Sequence, residues 1–236
     1  MSTGVVETIG RKSRIPPLEN GDRLSRDEFE RRYAAMPKHV KAELIEGVVY
    51  MASPVRLEGH ARPDGRLIGW LYDYQAATPG VEFAVNGTIR LGDEDEPQPD
   101  SILYVLPEYG GTAHNTKDDY LEYAPELAIE IAASSASKDL GPKKRAYAAN
   151  GIREYLVWKT LEDSIDWFVL RGNHYESLKM DATGVIHSEV FPGLWLNVPA
   201  VLQLDSAAVK ATSQQGLQSP EHTRFVAELA GRRQSE

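Results

Sequence analysis

Glu130 is the single charged residue in an otherwise apolar run, "LAIEIA" at 127–132. In an extended strand side chains alternate, so Leu127, Ile129 and Ile131 point one way and Ala128, Glu130 and Ala132 the other. Burying an isolated carboxylate costs on the order of several kcal/mol, enough to protonate it unless something compensates the charge. Two compensations are open: the ammonium of Lys143, a short loop beyond the strand, or a divalent metal ion. Asp100, directly after Pro99 and at the mouth of the apolar run "SILYVLP", is a second carboxylate at the start of a strand. Carboxylates on neighbouring strands make an oxygen-rich site of the type magnesium favours, completed by water and a substrate phosphate. A lysine beside them would orient or activate water, or stabilise charge growing on a phosphoryl group. Each residue also has a structural reading: Glu130 as half of an ion pair with Lys143 or Lys144, Asp100 as a turn residue, Lys143 as a solvated helix lysine.

These residues need a scaffold. "SRDEFERRYAAM" carries the capping-box pattern, Ser25 with Glu28, and places Phe29 and Tyr33 on one helical face. "AELIEGVVYMASP" predicts a hairpin turning at Glu46-Gly47, with Leu44, Val48 and Tyr50 available to a core. Leu67, Leu71 and Tyr74 predict a second helix. "VEFAVNGTIRL" and "PDSILYVLP" read as strands around an exposed acidic loop at Asp93–Glu96. After the Glu130 strand, "PKKRAYAANG" predicts a helix with Pro142 in its first turn and Gly151 at its stop. Its basic start, "KDLGPKKR", would suit a phosphate backbone, with the helix N-terminus helping. "REYLVW" is a further strand, "DSIDWFVLRGNHYESLKM" a meander turning near Gly172-Asn173, and "GVIHSEVFPGLWLNV" supplies another strand and an edge, to complete the sheet or support a homodimer. The order predicts an α/β domain: a mixed central sheet flanked by helices, with an antiparallel C-terminal meander. Residues 1–21 read as a mobile tail, 22–204 as the domain, and 205–236 as a polar linker ending in a helix.

Composition narrows the function. The chain has 236 residues, 42% hydrophobic and 26% charged, the balance of a soluble globular protein with one real core. No apolar run approaches the length a bilayer needs, the N-terminus lacks a secretory apolar centre, and there is no cysteine; a cytoplasmic location with no membrane contact is expected. A formal net charge of −9 excludes a protein that coats nucleic acid by bulk electrostatics but leaves room for a local basic groove. No G-x-S-x-G elbow, H-E-x-x-H helix or phosphate loop supports a serine hydrolase, a zincin or a nucleoside triphosphatase.

"PD" at 99–100, "AIEI" around Glu130 and a nearby lysine resemble the PD-(D/E)XK nuclease pattern, in which Asp and Glu hold a metal and Lys assists the water. The usual lysine position, two residues after the glutamate, is Ala132 here. A narrower resemblance addresses the gap. The chain is similar to the Uma two family of restriction-endonuclease-like proteins, whose lysine lies on the following helix. The matching stretches are "AELIEGVVYMASP", His60, "QPDSILYV", "PELAIEIAASSASKDLGPKKRAYAANGIREYLVW" and "FPGLWLNV", over roughly residues 25–200. Lys143, Tyr147 and Gly151 have that family's spacing, which favours Lys143 over Lys144, and Glu43 matches a hairpin glutamate that would approach the same metal. The usual serine-proline-serine after the strand glutamate reads "AASSAS" here. The resemblance implies a restriction-endonuclease-like fold and a magnesium-dependent endonuclease acting on DNA, with manganese as a possible substitute. Asp100, Glu130 and Lys143 would be catalytic, and Glu43, Asp100 and Glu130 would hold the metal. A homodimer would let each site cut one strand. RNA is not excluded as substrate. The alternative is a nuclease-fold protein with weak or lost chemistry that acts as a nucleic-acid-binding or regulatory module. Tyr147 is expected mainly to pack, and His60 stays outside the site set.

Overall fold

The structure, a computed structural model, describes residues 15–52 and 54–233. Ser25 caps helix α1 (Arg26–Tyr33) by accepting the Glu28 N–H at 3.4 Å, as its pattern predicts. Strands β1 (Ala42–Ile45) and β2 (Val48–Met51) form the expected hairpin. Its turn residues Glu46 and Gly47 have φ of 50° and 71°, the doubly left-handed turn whose twist matches an antiparallel pair. That turn sets Glu43 opposite Tyr50 and Leu44 opposite Val49. Val49, rather than Val48 or Tyr50, therefore joins Leu44, Phe29 and Leu18 in a small core, and Glu43 faces away from it. Leu18 belongs to the expected tail; residues 1–14 of that tail lie outside the described residues, but Gly21 donates to the Val49 carbonyl at 2.8 Å.

A wide helical turn (Leu57–Ala61) leads into α2 (Arg62–Ala77), which buries Leu67, Leu71 and Tyr74. Strands β3 (Val81–Val85), β4 (Ile89–Arg90) and β5 (Ser101–Val105) follow. The acidic loop before β5 departs from expectation: Asp93 and Glu94 are exposed, whereas Asp95 and Glu96 are buried. Glu96 exchanges backbone hydrogen bonds with Leu44, and the Asp95 carboxylate accepts the Glu46 N–H at 2.7 Å and the Asn150 amide at 2.9 Å. Polar backbone that would otherwise be stranded on the hairpin is thereby satisfied, and the hairpin carrying Glu43 is clamped in place.

Short strands β6 (His114–Asn115) and β7 (Leu121–Glu122) join β4 in a small sheet. The fully buried β8 (Leu127–Ala132) comes next, then a helical crossover: α3 (Ala136–Lys138), a wide turn (Asp139–Lys143) and α4 (Lys144–Ala149). It returns the chain to β9 (Glu154–Lys159), parallel to β8, the connection that parallel pairing demands. The meander β10 (Ser164–Arg171) and β11 (His174–Ser177) completes a six-stranded mixed sheet ordered β11-β10-β9-β8-β5-β3. Strands β12 (Val185–His187) and β13 (Trp195–Asn197) do not complete that sheet; they pair with each other. Helices α5 (Val198–Leu202), α6 (Ser206–Leu217) and α7 (Pro220–Arg232) end the described chain. Thus 206–217, read as linker, is helical, and α7 is the expected terminal helix.

One face of the sheet buries Leu103, Ile129, Ile131 and Trp158 against α2 and the C-terminal elements. The other buries Ile102, Ala128, Ala132, Tyr155 and Val157 against Tyr147 of α4. Glu130 belongs to this second face by strand alternation.

Candidate active site

The Glu130 carboxylate is buried, and its Oε1 lies 2.8 Å from the Lys143 ammonium and 3.0 Å from the Tyr147 hydroxyl, which donates to it. Ala128 and Ala132, its neighbours on the same face, leave room for that aromatic ring. Lys143 is also buried and bridges two carboxylates, its Nζ standing 2.5 Å from Glu43 Oε1. Glu43 is engaged at both oxygens: Oε1 also accepts the Gln98 N–H at 2.9 Å, and Oε2 accepts Lys138 Nζ at 2.6 Å. The ammonium foreseen as the first compensation of Glu130 is therefore present. Lys144 stacks over the Phe168 ring instead, 3.3 Å from its centroid.

Continuing the Ser101–Ile129 pairing by one step sets residue 100 opposite residue 130. Asp100 Oδ2 accepts the Ile131 N–H at 2.6 Å, and Oδ1 lies 3.0 Å from His60 Nε2. His60, on the wide turn before α2, thus reaches the site although a lone histidine gave little reason to expect it. Asp64, one turn along, has a buried Oδ1 without a partner; burial, then the Asp100 charge, pushes its carboxyl up to about 6. Asp139 is buried between the lysines, with Oδ1 3.9 Å from Lys138 Nζ.

Carboxylates outnumber ammonium groups in this cluster, and the titration behaviour follows. Burial opposes ionisation of Glu43, but Lys143 and Lys138 outweigh it and hold the carboxyl at about 2. Burial likewise opposes the Lys143 charge, and Glu130, Glu43 and Asp139 outweigh it, holding the ammonium well above the ordinary lysine range. Glu130 is pushed well up by burial, which Lys143 only partly offsets against the charges of Asp139, Asp100 and Glu43. The Tyr147 hydroxyl is kept protonated by burial and then by the Glu130 charge, so it serves as donor. A local surplus of negative charge thus surrounds Glu130.

The basic run "KDLGPKKR" does not form a phosphate-binding helix start. Winding begins at Ala136, before Pro142, and the side chains diverge: Lys138 and Lys143 to Glu43, Arg145 to Glu46 at 2.7 Å. The pairing of Lys138 with Glu43 escaped sequence reasoning because residues five apart lie on different faces of an α-helix. The i→i+5 geometry of the wide turn Asp139–Lys143 brings Lys138 and Lys143 to one carboxylate. Gly141, with φ −103° and ψ −106°, marks the irregularity, and "GP" was its only trace in the sequence.

The donor set can be tested against a metal. Carboxylate oxygens suit a hard cation, and both contacts to Glu130 fall on Oε1. Among the described residues no three His, Asp or Glu side chains are gathered into a complete metal cage. Magnesium does not require one, since one or two carboxylates with water and phosphate oxygens suffice. Asp100 and Glu130 fit that demand.

Comparisons with known proteins bear on the fold and the family. A crystal structure of a putative nuclease belonging to DUF820 from Anabaena variabilis superposes with a TM-score of 0.58 at 12% identity, covering 73% of this chain and 96% of that one, which shows a shared fold. No curated protein matches the sequence. The Uma2 family model, described as "Putative restriction endonuclease", matches residues 26–199, and the chain belongs to that family.

Proposed function

We propose that the protein is a metal-dependent endonuclease that hydrolyses DNA phosphodiester bonds, with Asp100 and Glu130 as the metal-holding carboxylates. The observation that carries the reading is that Asp100 accepts the N–H of Ile131, the residue next to Glu130, while Lys143 bridges Glu130 and Glu43. A bound magnesium or manganese ion would supply Lewis-acid polarisation of a phosphoryl oxygen and lower the pKa of water. The protein's own groups prepare for it. The Ile131 N–H and His60 orient Asp100, and Tyr147 and Lys143 fix Glu130 by Oε1. Lys143, held charged between carboxylates, serves as an electrostatic and orienting group rather than as a proton acceptor. Glu43, expected at the metal, is assigned instead to holding Lys143 and Lys138, whose ammonium groups stand 2.5 and 2.6 Å from its two oxygens.

Cleavage of supercoiled plasmid and of single-stranded DNA, with magnesium, manganese or chelator, tests the reading on wild type, Glu130→Gln and Lys143→Ala. Metal-dependent nicking by wild type, reduced at least about 100-fold in both variants, is the expected result. Equal cutting by all three would assign the activity to another protein. No cutting of DNA or RNA by wild type, with metal-independent DNA binding, would favour a nuclease-fold binding module.

A further inference from the structure

Lys138 has no part in the site derived above beyond its contact with Glu43, yet it differs from Lys143 in one decisive respect. Its side chain is 25% exposed where that of Lys143 is 1% exposed. Its Nζ stands 2.6 Å from Glu43 Oε2 and 5.9 Å from the centre of the Tyr50 ring, on the solvent side of the cluster. Lys143 is pinned by two carboxylates at 2.5 and 2.8 Å and cannot leave without stranding both in a buried setting. Lys138 can leave with Glu43 still compensated, because Glu43 keeps Lys143 and the Gln98 N–H on its other oxygen. A long, flexible ammonium of this kind suits a point contact to phosphate.

We propose that Lys138 is a substrate-phosphate contact, turning from Glu43 Oε2 to a non-bridging oxygen of the nucleic-acid backbone while Lys143 stays with Glu43 and Glu130. The proposal rests on the nuclease reading and adds to it the group that meets the incoming strand. An anionic backbone approaching from solvent encounters this ammonium before the buried one, and the same movement frees one oxygen of Glu43.

The test is binding of a short labelled DNA duplex across a potassium chloride series, in chelator and again in calcium, by wild type, Lys138→Gln and Lys138→Arg. Lys210→Gln, on α6 across the sheet, serves as a control for net charge. One lost phosphate contact reduces the slope of log affinity against log salt by about 0.9 on duplex DNA. The expected result is that reduction in Lys138→Gln, its recovery in Lys138→Arg and no reduction in Lys210→Gln. An unchanged slope with a lowered melting temperature would make Lys138 a structural ion pair and overturn the proposal while leaving the nuclease reading intact. An equal loss in Lys210→Gln would reduce the effect to net charge and also overturn it. Wild type that binds neither duplex, single-stranded DNA nor RNA would remove the nuclease reading and this proposal with it.

Discussion

At the scale of single residues, the site is governed by how few cations it has for its buried carboxylates. Lys143 serves Glu43 and Glu130 at once, so its removal leaves two carboxylates facing each other without their shared ammonium. Breaking a buried pair costs about 3–5 kcal/mol, most of it from the charge left behind. Lys143→Met is expected to lose about that much stability by chemical denaturation. Adding Glu130→Gln to Lys143→Met should restore part of it at high pH, where Glu130 would otherwise be forced to ionise without its ammonium, while cleavage stays lost in both. If the double variant is no more stable than the single one, Lys143 stabilises by packing alone. Much of this was legible: an acidic residue amid a buried strand demanded a cation, and the spacing of Lys143, Tyr147 and Gly151 singled out Lys143. The share taken by Lys138 was not, because it depends on a local widening of the helix that no periodicity announces.

Elements position those residues, and the hairpin that brings Glu43 to the site depends on one turn and one clamp. Gly47 has φ of 71°, and a Cβ there would come only 3.4 Å from the Leu24 carbonyl oxygen, an ordinary contact. Gly47→Ala therefore costs conformational energy rather than a clash, about 1–2 kcal/mol for a left-handed non-glycine residue. That corresponds to a fall in melting temperature of about 2–8 °C in a chain of this size. Asp95→Ala acts from the other side by freeing the Glu46 N–H and Asn150. It should lower cleavage by about 10-fold, measured at saturating metal, without altering any residue that touches Glu130; unchanged cleavage would show that the clamp does not position Glu43. The turn itself could be read from Glu46-Gly47, whereas the clamp could not, because a cluster of four acidic residues normally means a solvated loop. Helix α6 was hidden for a different reason. It packs through Thr212, Ser213 and Gly216, and a Cβ at Gly216 would fall 2.2 Å from the Gly193 carbonyl oxygen. Close approach of backbones needs small residues, and small residues erase the apolar stripe by which a helix is recognised.

Across the whole molecule, the sheet is joined to its C-terminal cover by a buried carboxylate far from the proposed chemistry. Glu154, at the start of β9, accepts the Ser188 hydroxyl at 2.7 Å and the backbone N–H groups of Glu189 and Val190 at 2.8 and 3.1 Å. The segment that precedes β13 is thereby tied to a central strand. Among the described residues no helix is long and apolar enough to cross a membrane. Burial pushes the Glu154 carboxyl up to about 7, although its hydrogen bonds pull the other way. The unfolded chain ionises it near 4.5, so the folded state binds the extra proton between about pH 4.5 and 7. The sign follows: this group's contribution is fully present below pH 4.5, declines through the window, and is lost above about 7. At about 1.4 kcal/mol per pH unit the difference amounts to roughly 3 kcal/mol. Glu154→Gln keeps the geometry, since its amide oxygen can accept both backbone N–H groups and its NH2 can donate to Ser188, whose hydroxyl rotates. Unfolding by urea at several pH values should therefore show wild type losing stability relative to the variant as pH rises from 4.5 to 7, with parallel curves above that range. Curves that stay parallel throughout would mean that Glu154 is ionised in the folded protein and held by its donors alone.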